Sequence, residues 1–501
     1  MKKIALLLIL TLTIFLSACE FTSLDSTETI VTTTAEQTTI TNNIEPTFEN
    51  LFDDSIYKKF EIYFSEANFL KLIYDMENYR DQFGSYRDNT IQEVDITYTD
   101  STGLVYEVNE VGFRTKGNIF TRVLPVIKDE LGNIIGYQQV SFQLEFNATF
   151  DYIENSTEYN YLQSREVFDL DQLNFKHIRY DTGVVTESVS YDLYREAGIY
   201  TSDTSYAIIY FNIEGNVIPY GLYMLQEPID DMFVERYFGE NQDGSIGDLY
   251  KCTWQSQAES QSQPATLKDD YDSFSLGVSN YLDGFRMSYA LKTNKTNPDF
   301  SSFENFIILA NQTDVASYNT HISQSLDVDA FARALAMGFL IGSPDDYRSN
   351  ANNYYMYFNN GNAYYIPFDM DNALGFGWNP YYDYGLSLAN DIVQPSSYNA
   401  SPSNLILPYW LLNDADFLAL YQNYLIQYIS DDGIFNYDTY LAEHNLIQNL
   451  YLSEILSEGH LGINDFVLEN RGQQNFVHGM SASDYFEQKI ANIKNQLGII
   501  T

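Results

Sequence analysis

Apolar and polar residues alternate with period two over residues 91–98 and 104–114. The same holds for Gln139–Phe146, where Val140, Phe142, Leu144 and Phe146 share one face. All three stretches predict strands. From Val184 to Ala197 the period changes: Val185, Val189, Leu193 and Ala197 recur every four residues. This predicts a helix, with Asp181 or Thr182 to cap its start and Gly198 to close it. Two strands follow, Tyr206–Asn212 and Tyr220–Gln226, joined by a turn at Glu214-Gly215-Asn216. A second helix is predicted over Leu326–Ile341, with Phe331, Leu335 and Phe339 on one side and a stop at Ser343-Pro344. Then comes a hairpin: Tyr354–Phe358, a turn at Asn360-Gly361, and Ala363–Phe368. The remainder reads as mostly helical, notably Phe417–Ile429 and Asp484–Leu497. A mainly β N-terminal part followed by a mainly α C-terminal part makes an α+β chain.

The first residues break these patterns. Lys2 and Lys3 precede an apolar run, Ile4 to Leu16, that is too short to span a bilayer comfortably and ends in Leu16-Ser17-Ala18-Cys19. This ending resembles the lipobox of bacterial lipoproteins, in which cleavage precedes the cysteine and its sulfur carries a diacylglycerol. The resemblance implies a signal peptide over 1–18, lipidation at Cys19, and an extracytoplasmic protein held at the cell membrane by its lipid. An ordinary secretory signal with an incidental cysteine is the alternative. Residues 19–50 are Thr/Ser-rich, as in Thr27-Glu28-Thr29-Ile30-Val31-Thr32-Thr33-Thr34, and read as a flexible tether. The folded part is expected over 51–501.

Composition narrows the function classes. Against 69 Asp+Glu there are 26 Lys+Arg, a net charge of −43 over 501 residues. That balance excludes unaided nucleic-acid binding and a polybasic grip on anionic lipid. Hydrophobic residues at 45% and aromatics at 16% supply a large core, so the charge does not imply disorder. With Cys19 taken up by lipid, Cys252 has no intramolecular disulfide partner. The five histidines, His177, His321, His444, His460 and His478, lack the spacing of a metal site and read as surface or satisfied positions. There is no Gly-x-Ser-x-Gly elbow and no Walker-type loop.

Candidate chemistry gathers around the hairpin. Asp345-Asp346 follows the helix stop and opens a loop through Arg348, Asn350, Asn352 and Asn353. The hairpin returns the chain to Pro367-Phe368-Asp369-Met370-Asp371, so its two ends should be neighbours. Carboxylates and amides gathered there are hard oxygen ligands suited to Mg²⁺ or Mn²⁺. Protein kinases use the same order of acid, amide, β-hairpin and metal-holding aspartate. The plainer reading is that these are loop and cap residues of an acidic protein.

Four stretches together resemble the spore-coat CotH kinase family: Gly112-Phe113-Arg114-Thr115-Lys116-Gly117-Asn118; Glu187 through Gly198; Tyr220 through Asp230 followed by Asp248-Leu249-Tyr250-Lys251; and Asn353-Tyr354-Tyr355-Met356-Tyr357 leading into Pro367–Asp371 and Gly375-Phe376-Gly377. The resemblance implies an atypical, bilobal protein-kinase-like fold that transfers the ATP γ-phosphate to Ser or Thr of surface or secreted proteins with Mg²⁺. It further implies Asp345 as catalytic acid/base with Asp346 as alternate, Asn353, Asp369 and Asp371 as metal ligands, and Glu227 beside the adenine. Arg114 and Lys116 would hold phosphates, and Glu187 would orient such a cation. Many members carry basic residues where this chain has Gln139, Gln143 and Glu145. Lys116 or Lys128 would then have to substitute, or the protein would be an inactive scaffold. Phe368 stands where the family has a tryptophan. A glycan- or solute-binding lipoprotein using its tyrosines is a third reading.

Overall fold

The computed structural model describes residues 45–118, 121–178, 181–254, 263–271, 275–278, 287–377, 392, 402–469, 471 and 478–499. The expected signal peptide, the lipidation site Cys19 and the tether as far as residue 44 lie outside the described residues. Residues 45–50, placed in the tether by composition, belong with the folded part. Thr47 caps a short helix, Phe48–Phe52, and the Phe48 backbone N–H donates to Asp169.

The N-terminal part folds into β1 (Lys58–Phe64), β2 (Gln92–Asp100), β3 (Val105–Thr115), β4 (Val126–Lys128), β5 (Ile134–Tyr137), β6 (Phe142–Glu145), β7 (Gln172–His177), β8 (Thr204–Ile213) and β9 (Asn216–Gln226). All but the β4–β5 hairpin close into a barrel in the order β1-β2-β3-β6-β7-β9-β8. Neighbours are antiparallel except at the closure, where β8 and β1 run parallel with Lys59 opposite Ile208. The period-two pattern sends Phe60, Phe113, Phe142, Phe175 and Phe211 into one aromatic core. Phe142 lies at its centre, stacked on Phe175 at 4.5 Å and on Phe113 at 4.9 Å between ring centroids.

β8 and β9 are buried on both faces, which explains their nearly continuous apolar runs. Ala207, Ile209, Tyr223 and Leu225 face the barrel core, while Tyr206, Ile208, Leu222 and Met224 pack into a second, larger core. That core is built around helices Thr186–Glu196, Val328–Ile341, Ala415–Tyr428, Tyr437–Glu458 and Ala482–Gln496. A further sheet joins it: β10 (Asp248–Cys252), β11 (Leu276–Val278), β12 (Tyr289–Leu291), β13 (Tyr354–Asn359) and β14 (Asn362–Pro367), ordered β11-β12-β10-β13-β14. The predicted hairpin is β13–β14. Its two turn residues, Asn360 (φ 52°) and Gly361 (φ 80°), adopt the left-handed conformation that a two-residue turn between twisted strands requires. The chain is thus a mixed α+β fold.

Two expectations change in detail. The helix begins at Thr186 without the predicted side-chain cap, and the Asp181 carboxylate instead accepts the Gly183 N–H at 3.0 Å. The predicted strand Gln139–Phe146 is paired only over Phe142–Glu145. Cys252 is a buried free thiol, pushed far above the usual thiol range by burial. His177, His321, His444 and His460 each have a hydrogen-bond partner: Ser141, the Leu309 carbonyl, the Gly183 carbonyl and Tyr210. Removing the central ring of the barrel core, Phe142→Ala, is expected to lower stability by about 3–5 kcal/mol, read by urea denaturation.

Candidate active site

The hairpin base brings two loops together. Tyr354 is opposite Pro367, and the Phe368 N–H donates to the Asn353 carbonyl at 3.1 Å. Asn353 and Asp369 both take left-handed backbone conformations, with φ 54° and 62°. Such strain in non-glycine residues is held only where the surroundings fix it.

Asp345 is half-buried and accepts three amide hydrogen bonds, from Asn350 (2.6 Å), Asn352 (3.0 Å) and Asn353 (2.9 Å). Burial pushes its carboxyl up to about 7. The Asn352 and Asn350 bonds pull it down, and the nearby charges of Asp369 and Asp371 add to the rise. Asp346, its neighbour in sequence, is a different kind of residue. It caps the helical turn Tyr347–Asn350 through the Ser349 N–H at 2.8 Å and lies against the C-terminal core beside Tyr194 and Gly338. The Asp345-Asp346 pair therefore separates into one carboxylate facing Asp369 and one helix cap.

A residue the sequence reading did not single out completes the cluster. The Lys176 ammonium, on β7, donates to Glu187 at 2.5 Å and to Asp369 at 2.6 Å. Burial alone would drive that lysine down; the carboxylates of Asp369, Glu187 and Asp371 outweigh it and hold Lys176 well above the usual lysine range. The strand 139–146 carries no lysine, and Lys176 stands on the strand paired with it. Its signal was present in Gln172-Leu173-Asn174-Phe175-Lys176-His177, where Leu173 and Phe175 alternate with polar residues. Glu187 pairs with Lys176, not with Arg114 or Lys116. Lys128 pairs with Glu77 instead, at 2.7 Å.

Arg114 and Lys116 lie on the same outer face of the barrel. Arg114 pairs with Glu145 at 2.5 Å and also bonds Gln143, which occupies it within the sheet. Lys116 donates to Asn174, two residues from Lys176. Burial pulls Lys116 well below the usual range, and the positive charges of Arg114, Lys251, Lys292 and Arg122 act the same way. Lys251 sits 4.3 Å over the Phe368 ring, immediately before Asp369. A cationic pole therefore adjoins the acidic one.

Glu227 does not join either pole. It is fully buried, ion-paired to Arg236, and accepts from Tyr237 (3.2 Å) and the Asp203 N–H (3.2 Å). These three contacts hold it just past the end of β9. Among the described residues, no three Asp, Glu, His or Cys side chains form a metal cage. Asp369, Asp371, Asp345 and Glu187 supply carboxylate oxygens here, and the Asn353 amide nitrogen donates to Asp345. One or two carboxylates are what Mg²⁺ takes from a protein when phosphates complete its coordination.

Burial already raises the Glu187 carboxyl to about 7, and Lys176→Met takes away the ammonium that draws it down, so its charged form is disfavoured further beside Asp369. Such a group destabilises increasingly as pH climbs from the unfolded value, 4.5 for Glu187, through the folded one. The side chains are 20%, 11% and 33% exposed for Lys176, Glu187 and Asp369, which tempers the effect. The deficit relative to the unsubstituted protein is expected to be about 1–3 kcal/mol at pH 8 and largely absent at pH 5, read by denaturation at both.

A family model described as CotH kinase protein matches residues 114–493, more than half of the chain. No curated protein matches it.

Proposed function

The chain belongs to the CotH kinase protein family, and we propose that it is an active, atypical protein kinase of bilobal kind, transferring the γ-phosphate of ATP to Ser or Thr of surface or secreted proteins. The observation that carries this reading is Lys176 held between Glu187 and Asp369. A lysine paired to a helix glutamate, facing a metal-holding aspartate beyond a β-hairpin, is the arrangement phosphoryl transfer needs. It also counts against the inactive-scaffold reading, which rests on a missing lysine.

In this reading the barrel and the helical part form the two lobes, with the nucleotide between them. Lys176 holds the phosphates, Glu187 keeps the ammonium aimed, and the cationic pole around Lys116 offsets the remaining phosphate charge. Asp369, with Asp371 and Asn353, would hold Mg²⁺, which neutralises charge on the transferring phosphoryl group. Asp345, fixed by Asn350, Asn352 and Asn353, orients the acceptor hydroxyl and takes its proton. The acceptor oxygen then bonds to the γ-phosphorus while the bond to the β-phosphate oxygen breaks, releasing ADP. A carboxyl near 7 is suited to take a proton at neutral pH. The lipobox-like Leu16–Cys19 supports lipid anchoring outside the cytoplasm. Among the described residues no helix is long and apolar enough to cross a membrane.

The purified full chain is expected to transfer label from γ-labelled ATP to itself or a generic acceptor with Mg²⁺ or Mn²⁺. Asp345→Asn and Asp369→Asn are each expected to lower kcat by about 10²–10⁴-fold without unfolding the chain. The rate should rise as pH increases through about 7, where Asp345 loses its proton, and that step should disappear in Asp345→Asn. No transfer by the unsubstituted protein, together with no nucleotide-dependent shift in melting temperature, would sink the kinase reading. Separately, Cys19→Ser is expected to release the protein from the membrane fraction on cell fractionation.

A further inference from the structure

We propose that Tyr191 is the positioning residue of Asp369, fixing its backbone so that its carboxylate points at the metal; the inference rests on the reading of Asp369 as a metal ligand. Tyr191 lies one helical turn after Glu187 on the same helix, so the two side chains share a face. Its hydroxyl oxygen accepts two N–H bonds, one from the Asp369 backbone at 2.8 Å and one from Gln226 at 2.7 Å. Tyr191 is fully buried and Gln226 is 1% exposed, so water does not substitute for either bond.

The consequence is a two-point grip. The Asp369 carboxylate is held by Lys176 on β7, and its N–H is held by Tyr191. Gln226 on β9 pairs in register with Asn174 of the same β7, so both grips are referenced to one piece of sheet. A single contact at the carboxylate would fix where that group sits and leave its direction free to turn about the contact. The second contact, at the backbone, removes that freedom and holds the left-handed conformation at φ 62°. Phenylalanine fills the same space but accepts neither bond.

The test compares the unsubstituted full chain with Tyr191→Phe and Gln226→Leu. Amide hydrogen exchange is read at residues 369–372 and along the helix Thr186–Glu196. The second readout is the Mn²⁺ concentration giving half of the ATP-dependent rise in melting temperature. Tyr191→Phe is expected to quicken exchange at 369–372 while leaving the helix unchanged, and to raise the Mn²⁺ requirement about tenfold. Gln226→Leu, which spares the bond to Asp369, is expected to give a smaller rise. Saturating Mn²⁺ should restore the full shift in both variants. The inference is overturned if exchange and Mn²⁺ dependence match the unsubstituted protein. It is equally overturned if exchange rises uniformly through the helix with a lower melting temperature, the mark of an ordinary core tyrosine. Should the unsubstituted protein show no ATP-dependent shift, the kinase reading fails on its own, and the exchange comparison still decides the role of Tyr191.

Discussion

The ammonium of Lys176, wedged between Glu187 and Asp369, is the contact on which the arrangement of this molecule turns. One positive charge faces three carboxylates once Asp371 is included. Taking charges out of water is costly, and such a group survives only where its partners are delivered accurately. The delivery comes from three places: a barrel strand, a helix of the larger core, and the loop that leaves a hairpin. The double burial of β8 and β9 welds the barrel to the helices, and the hairpin β13–β14 returns the chain to the right spot. The two cores therefore matter to the site less as separate stabilisers than as rigid arms holding opposite ends of an ion triad.

Charge is organised along the same line. A chain with a net charge of −43 has few cations, yet Arg114, Arg122, Lys251 and Lys292 all act on Lys116, which bonds Asn174. Like charges gathered in a partly buried place repel, and the Glu145 carboxylate at Arg114 offsets part of that repulsion. In the acidic group nearby, Asp369 is held by Lys176 and Asp345 by three amides. In the proposed kinase reading, a polyphosphate with a divalent cation carries both signs along one ligand and would meet the two groups together.

The sequence disclosed the local parts well. Asn360-Gly361 specified its turn because only residues tolerating positive φ fit there, and the helix Val328–Ile341 and the Asp345 loop followed from periodicity and the stop at Pro344. Long-range pairing was less legible. β7 is six residues long and approached through irregular chain, so its alternation was easily passed over, and Lys176 with it. Glu227 is identifiable in the sequence only by its place after a strand, and its partners Arg236, Tyr237 and Asp203 become visible only when the fold assembles. The Asp345-Asp346 pair shows the same limit at the smallest scale. Which of two adjacent carboxylates caps a helix is set by the direction in which the chain turns, and composition carries no record of that.

The parallel closure of the barrel has a temporal meaning. Lys59 lies opposite Ile208, so about 150 residues separate strands that must meet, and closing such a loop is slow relative to local pairing. A nascent chain that has not yet supplied β8 holds the interior rings of β1, β2, β3, β6 and β7 in an open sheet whose apolar face has no lid. The triad comes later still, because Asp369 is 193 positions beyond Lys176. The ion triad thus comes after every barrel strand as the chain is made, and products truncated before β8 would carry a sticky half-barrel and no triad.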